Sequence, residues 1–190
     1  LFIFTYYYKP NVMKKIMYLC GLLLVATISA HAQEFKGLDA SPLDVITFPT
    51  SNRETNKSAR VLYSRPQLKG RDIASLVPEG KVWRMGANEA TELTLYAPMS
   101  LGGTALASGA YTLYAIPNGE QMTIIVNTAT NVWGAYSYDA AKDIVRVNVP
   151  IQESGDYLEA FSMAFEEVDG GAALHMGWGN YRTKVVLTKN

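Results

Sequence analysis

Short β-prone runs separated by turn residues dominate the chain after residue 59. Apolar and polar residues alternate within several runs, and strand signals that recur at this spacing are typical of an antiparallel sandwich or barrel. No long amphipathic helix pattern interrupts them. The pattern predicts an all-β domain whose strands lie at Arg60–Tyr63, Leu93–Tyr96, Tyr111–Ile116, Met122–Asn127, Ile144–Val149, Phe161–Phe165, Ala172–Trp178 and Tyr181–Thr188.

Glycine-containing turns indicate how these strands connect. A tight hairpin needs a positive φ that glycine and asparagine adopt at low cost. Because sequential strands joined by hairpins form a meander, we predict an antiparallel β-sandwich, jelly-roll-like. The residues that alternation predicts to point inward are Val145, Val147, Val149, Phe161, Met163, Phe165, Leu174, Met176, Trp178, Val185 and Leu187. The predicted hairpins lie at Gly102-Gly103, Asn118-Gly119, Gly170-Gly171 and Gly179-Asn180.

The segment from Ser64 to Glu92 departs from this rhythm. It has little alternation and few hairpin signals, so we predict one long irregular loop region with a single helical turn at Ile73–Val77, capped by Asp72. Large and charged side chains are concentrated there. Loops that carry such residues are where binding or catalysis is most often found.

The N-terminal region has the pattern of an export signal. Met13-Lys14-Lys15, an apolar stretch from Ile16 to Ile28 and Ala30-His31-Ala32 reproduce the three parts of a secretory signal peptide, with cleavage predicted after Ala32. The apolar stretch is shorter than the roughly 20 residues of a membrane-spanning helix. We therefore predict an exported protein, periplasmic or extracellular, that is not an integral membrane protein.

The predicted cleavage site divides the chain into three parts. Residues 1–32 are interpreted as an over-extended start plus the signal peptide, and residues 33–58 as an N-terminal leader that lies on the domain, with Val45–Phe48 as an edge strand. Residues 59–190 form the predicted sandwich domain.

Charge and composition exclude several function classes. The chain has 17 Lys and Arg against 17 Asp and Glu, without the surplus of cations that nucleic-acid binding requires. Beyond residue 32 there is no cysteine, and His175 is the only histidine. Zinc sites need several such ligands, so we predict no metal, no cofactor and no nucleic-acid partner.

Three arginines of the irregular region, Arg65, Arg71 and Arg84, offer planar forks of donors. They could form a pocket for a carboxylate, phosphate or sulfate, or they could tie loops together by donating to backbone carbonyls. The aromatic residues Trp83, Trp133, Tyr136 and Tyr138 leave a similar choice, because flat rings beside polar groups suit a sugar site whereas large rings are also usual in a core.

Acidic residues leave a third choice. Glu89 and Asp139 could serve as paired carboxylates of a glycosidase-like hydrolase. Alternatively, Glu89 neutralises Arg84 or Arg71 and Asp139 caps a turn.

Several blocks of the chain resemble the DUF2911 family, exported bacterial proteins of unassigned function that are common in Bacteroidota. The blocks are Tyr63–Pro66, Lys69–Arg71, Leu76–Pro78, Trp83–Thr91, Gly109–Leu113 and Trp133–Tyr136, with Arg146 further on. Met85 stands where threonine is more usual in the family. The resemblance implies one secreted all-β domain and implies no activity.

We predict that the domain binds a small polar ligand, a carbohydrate or an organic anion, between the Ser64–Glu92 loop and the Trp133–Asp139 loop. The alternatives are the hydrolase and an architectural or interaction module of the cell envelope. The predicted ligand-binding residues are Arg65, Arg71, Trp83, Arg84, Asn88, Glu89, Trp133, Tyr136 and Asp139.

Cleavage after Ala32 gives a direct test of the export prediction. Exported protein should begin at Gln33, because the small residues at positions 30 and 32 suit a signal peptidase. N-terminal mass spectrometry of the secreted or periplasmic protein measures this. An intact Lys14-Lys15 segment on exported material would contradict the prediction.

Overall fold

The computed structural model describes residues 2–3, 11–15, 17–18 and 33–189. The predicted cleavage site at Ala32 and most of the predicted signal peptide lie outside the described residues. Residues 11–15 and 17–18 are helical, and none of the described helices is both long enough and apolar enough to cross a bilayer. The chain divides into two compact units, Leu1–Gly37 and Leu38–Asn190, and the second contains the strands.

Ten described strands form two antiparallel sheets, which confirms the predicted all-β sandwich. The first sheet has six strands in the order β1-β2-β3-β6-β7-β8: β1 (Leu43–Phe48), β2 (Ala59–Ser64), β3 (Glu92–Leu95), β6 (Gly109–Asn118), β7 (Gln121–Asn127) and β8 (Asp143–Pro150). The second has the order β5-β4-β10-β9: β4 (Met99–Leu101), β5 (Thr104–Leu106), β9 (Gln152–Val168) and β10 (Gly171–Lys189).

The core lies between the two sheets and follows the predicted alternation. Val145 and Val149 are buried and Val147 is half-buried, while Arg146 points outward. On the facing sheet the inward residues are equally apolar. Burying each such side chain stabilises the fold by roughly 1.5–3 kcal/mol. The buried residues of β9 and β10 include Phe161, Met163, Phe165, Leu174, Met176, Trp178, Val185 and Leu187.

Three of the four predicted hairpins are confirmed, at Gly102-Gly103, Asn118-Gly119 and Gly170-Gly171. The fourth prediction, at Gly179-Asn180, is wrong, because both residues lie inside β10. Gly179 has a φ of 53°, and the register between β10 and β9 shifts on either side of it. A β-bulge uses the same positive φ as a hairpin, so the glycine alone could not distinguish them.

The irregular region is confirmed as mostly non-strand, and it closes one side of the sandwich. Its single helix is Ile73–Leu76, and the Asp72 carboxylate accepts from the Ala74 N–H at 3.1 Å as the predicted cap. The start of the region crosses to the second sheet, where Leu68 N–H donates to the Glu159 carbonyl at 3.0 Å. β1 is the edge strand of the first sheet.

Gly171, the first residue of β10, packs directly against the backbone near the end of the same strand. A Cβ at Gly171 would overlap the carbonyl oxygen of Leu187, whereas a Cβ at Gly155 would meet nothing within 4 Å. Gly171→Ala should therefore lower the free energy of unfolding by about 1–3 kcal/mol, while Gly155→Ala leaves it nearly unchanged. Urea denaturation of both variants measures this, and equal midpoints would contradict the packing argument.

Candidate functional site

The backbone of Trp83 pairs with β6 at Ala115, beyond the part of β6 that pairs with β3. Its N–H donates to the Ala115 carbonyl at 2.7 Å, and the Ala115 N–H donates back to the Trp83 carbonyl at 2.9 Å. β3 begins only at Glu92, so this edge of β6 would otherwise expose unpaired backbone groups. The pairing fixes the position of the signature block Trp83–Thr91.

The Trp83 side chain enters the space between the sheets. Its ring is nearly parallel to that of Trp178, at 12° and a centroid distance of 5.8 Å. Phe161 meets it edge-on at 4.9 Å and 69°. Trp83 thus packs against the core, as one interpretation predicted, and at the same time lines a cavity.

Left-handed residues turn the chain directly after Trp83. Met85 has a φ of 53° and Asn88 a φ of 58°, values that cost non-glycine residues roughly 1–2 kcal/mol each. The Thr91 hydroxyl donates to the Met85 carbonyl at 2.7 Å, and the Thr91 N–H donates to the Arg84 carbonyl at 3.0 Å. These bonds hold a tight turn in which the buried Met85 side chain also faces the cavity.

A cavity of about 550 Å³ lies beside this turn, and its volume is typical of small-ligand pockets. One wall is aromatic and comes from both sheets. The remaining surface is largely aliphatic, including Ile73, Met122 and Ile124. The aromatic residues that line it are Trp83, Phe161, Trp178 and Tyr181.

Carboxylates outnumber cations around this cavity, whose acidic lining residues are Asp72, Glu79, Glu120 and Glu153. Among the described residues, Arg182 is the single basic one that lines the cavity, and it donates to the backbone carbonyls of Gly179 and Tyr181 at 3.0 and 2.9 Å. Within the described part of the chain, the carboxylates of Glu120 and Glu153, both exposed, accept no hydrogen bond and form no ion pair. The cavity therefore has a negative rim.

Sequence reasoning missed most of this lining. Alternation places Phe161, Met176 and Trp178 only in the core, and the predicted ligand-binding residues include no acid of the rim. The signal that the sequence contains is the pair Glu120 and Glu153. Glu120 lies in the turn before β7 and Glu153 follows β8, at the same end of these antiparallel strands. Without the tertiary structure nothing relates that end to Trp83.

Arg65 ties distant segments together, and Arg71 closes its own loop. Arg65 donates to the Phe161 carbonyl at 3.1 Å, to the Ser162 hydroxyl at 2.7 Å and to Asp44 at 3.1 Å. Arg71 donates to the carbonyls of Leu68 and Gln67 at 2.9 and 2.7 Å. Neither lines the cavity, so their arrangement agrees with the loop-tying interpretation rather than with a shared anion pocket.

The signature block and the loop after β7 are neighbours, as predicted. Ala90 N–H donates to the Val132 carbonyl and Gly134 N–H to the Asn88 carbonyl, each at 3.0 Å, while Glu89 forms a β-bridge with Trp133. Together these segments pack over Tyr114 and Ile125. That is the face of the first sheet opposite the core.

Two of the predicted aromatic residues are at the surface. Trp133 is 60% exposed and Tyr136 86% exposed, so the core interpretation of Trp133 is wrong. The β-bridge with Glu89 holds the Trp133 backbone on the outer face of the sheet, so the Trp133 ring does not enter the core. The nine predicted residues thus do not form one site, since Trp83 faces the cavity while Glu89 and Trp133 lie on the outer face.

Asp139 caps a turn, as its structural alternative proposed. Its carboxylate accepts from the Ala141 N–H at 2.9 Å at the start of the 3₁₀ helix Ala140–Lys142. Glu89 forms no ion pair with Arg84 or Arg71 in the described structure, which makes the predicted charge neutralisation wrong. Glu89 is instead exposed beside Trp133, whose backbone it pairs with.

A satisfied polar network holds this loop to β8. The Asp143 carboxylate accepts from the Tyr138 hydroxyl at 2.6 Å, from Arg146 at 2.9 Å and from Asn127 at 2.7 Å. Burial, together with the hydrogen bond and charge of Asp143, raises the pKa of Tyr138 to about 12. In the described residues no group of three acids or histidines is arranged to hold a metal ion.

The Tyr138 environment predicts a loss of stability at alkaline pH. The unfolded phenol ionises near about pH 10, so as pH rises from there toward the folded pKa of about 12 only the unfolded state gains from deprotonation. The free energy of unfolding should fall in this window, and less steeply in Tyr138→Phe. Denaturation across this pH range measures the slope. An unchanged slope in Tyr138→Phe would contradict the prediction.

Comparison with known proteins gives one match. The family model described as a protein of unknown function (DUF2911) matches residues 43–187, from the first residue of β1 to near the end of β10. No curated protein and no solved structure matches the chain. The match covers both sheets and the signature block, and the chain therefore belongs to the DUF2911 family.

Proposed function

We propose that this domain binds a small carbohydrate in the cavity between its two sheets. The observation that carries the proposal is the aromatic wall of Trp83, Trp178 and Phe161 beside a negative rim. A volume of about 550 Å³ accommodates a ligand of one or two sugar rings.

The chemistry of the lining supports a sugar because it supplies two different surfaces. A pyranose has an apolar face that packs on aromatic and aliphatic side chains. Its hydroxyls need acceptors, and the carboxylate oxygens of Glu120 and Glu153 accept no hydrogen bond from the described residues. The walls would orient the ring, and the rim would select its hydroxyl pattern.

The same rim argues against an organic anion in this cavity. Four acidic residues and one arginine are among the lining residues, and both terminal nitrogens of that arginine already donate to backbone carbonyls. An anionic ligand would meet repulsion and lose hydration without gaining a free cation. The carbohydrate is thus favoured over the organic anion as the cavity ligand.

Paired-acid hydrolysis by Glu89 and Asp139 has less support, because a helix cap engages the Asp139 carboxylate and neither residue lines the cavity. The architectural interpretation accounts for Arg65 and Arg71. It leaves the Trp83 cavity unexplained.

We also infer that the ligand is met outside the cytoplasm. The support is the charged start, apolar stretch and small-residue cleavage site between Met13 and Ala32. Periplasmic or extracellular sugars would then be the relevant pool.

Tryptophan fluorescence tests the proposal, because two of the three tryptophans of the chain line the cavity. The probes are glucose, galactose, mannose, xylose, N-acetylglucosamine, maltose and cellobiose, with citrate and succinate as the anionic comparison. We expect a saturable fluorescence change and a raised melting temperature with at least one sugar.

A blocking variant locates the site. Ala74 lies on the short helix and lines the cavity, so Ala74→Trp should fill the entrance and abolish the sugar response. The matched control, Ala105→Trp, places the same ring on an exposed position of β5 outside the cavity and should retain it. Absence of a response to every sugar, or an equal response in Ala74→Trp, would contradict the proposal.

A further inference from the structure

Three of the acids that line the cavity come together at the turn between β6 and β7. Glu120 lies in this turn, and its backbone carbonyl accepts from the Ile151 N–H at 2.8 Å, two residues before Glu153. Glu79 reaches the same turn from the irregular region, since its carboxylate accepts from the Gly119 N–H at 2.9 Å. Three carboxylates from separate parts of the chain are therefore neighbours at the rim of the cavity.

No cation of the described chain neutralises these three acids. The ion pairs that the described residues form all involve other acids. Arg182, which also lines the cavity, directs both terminal nitrogens to backbone carbonyls. Acids that surround one cavity without a counter-ion attract cations to it, so the rim favours a positively charged ligand.

The aromatic wall favours an organic cation over a metal ion. Trp83, Phe161, Trp178 and Tyr181 line the cavity together with the acids. Aromatic rings attract ammonium groups, and they also pack against apolar carbon. A hydrated metal ion would use only the carboxylates, and no three acids or histidines of the described residues are arranged to hold one. An ammonium group on a carbon ring would use both surfaces.

We propose that the cavity prefers an amino sugar, with its amine protonated, over the neutral sugar that has the same ring. This inference rests on the proposed function, because the sugar ring occupies the same aromatic wall. The ammonium group lies at the rim and donates to Glu120 and Glu153, whose exposed carboxylates accept no hydrogen bond from the described residues. An ammonium offers three charged donors, so it binds carboxylates more strongly than a hydroxyl does.

Matched pairs of sugars test this preference in the whole domain. The pairs are glucose with glucosamine, galactose with galactosamine, and cellobiose with the β-1,4-linked glucosamine disaccharide. Tryptophan fluorescence is titrated at about pH 6, where glutamate carboxylates are ionised and amines are protonated. We expect the amino member of at least one pair to bind roughly fivefold more tightly, the gain of a good exposed ion pair. Added salt should reduce this preference.

Variants that remove one charge at the rim locate the preference. Glu120→Gln and Glu153→Gln should each lower the affinity ratio between the amino and the neutral sugar, and the double variant should bring it close to one. Affinity for the neutral sugar should change little, because an amide oxygen still accepts from a hydroxyl. The matched control is Glu167→Gln, which removes an exposed carboxylate of β9 outside the cavity and should keep the parental ratio.

Equal affinity for both members of every pair that binds, or tighter binding of the neutral member, would overturn the inference. A parental ratio in the double variant would also overturn it. Those results leave the proposed sugar function standing, since a sugar still binds. If no sugar of either charge changes the fluorescence, the proposed function fails together with the inference. The ratio is first measured in the parent protein, so the test does not depend on the folding of a variant.

Discussion

The two hydrogen bonds between the backbones of Trp83 and Ala115 organise both faces of the first sheet. β6 is longer than β3, and the backbone groups beyond the end of β3 need partners. Trp83 supplies them at Ala115, and the Thr91 carbonyl accepts from the Leu113 N–H at 2.8 Å. The signature block therefore continues the pairing of β3 along β6 irregularly and is not a free loop.

Because the segment around Trp83 is extended, its successive side chains point to opposite faces of the first sheet. The Trp83 side chain points into the sandwich, where its ring stacks on Trp178. Arg84, the next residue of this extended segment, points to the opposite face. The left-handed Met85 turns the chain immediately afterwards, so its side chain faces the cavity. A single short block thereby contributes to an aromatic cavity wall on one side and presents an unpaired guanidinium on the other.

Buried polar groups distinguish architecture from candidate function in this domain. Asp143 is surrounded by three donors, and Arg65 bonds to a carbonyl, a hydroxyl and a carboxylate. Such satisfied groups stabilise one arrangement of the loops, and they have little capacity left for a ligand. The contrasting cases are the buried Nε atoms of Arg60 and Arg84 and the exposed carboxylates of Glu120 and Glu153, because the described chain offers them no hydrogen-bond partner.

The sequence by itself determined the fold class, three hairpins, the inward faces of β8, β9 and β10, and the block in which unusual residues lie. Alternation and turn chemistry are local properties, so they are readable over a few residues. Only the tertiary structure decided that Gly179 makes a bulge, that Arg65 ties distant segments together, and that Trp83 and Trp133 lie on opposite faces. Those outcomes depend on contacts between segments far apart in the chain, such as Trp83 with Trp178 and Glu89 with Trp133. No local pattern carries the register that brings such segments together.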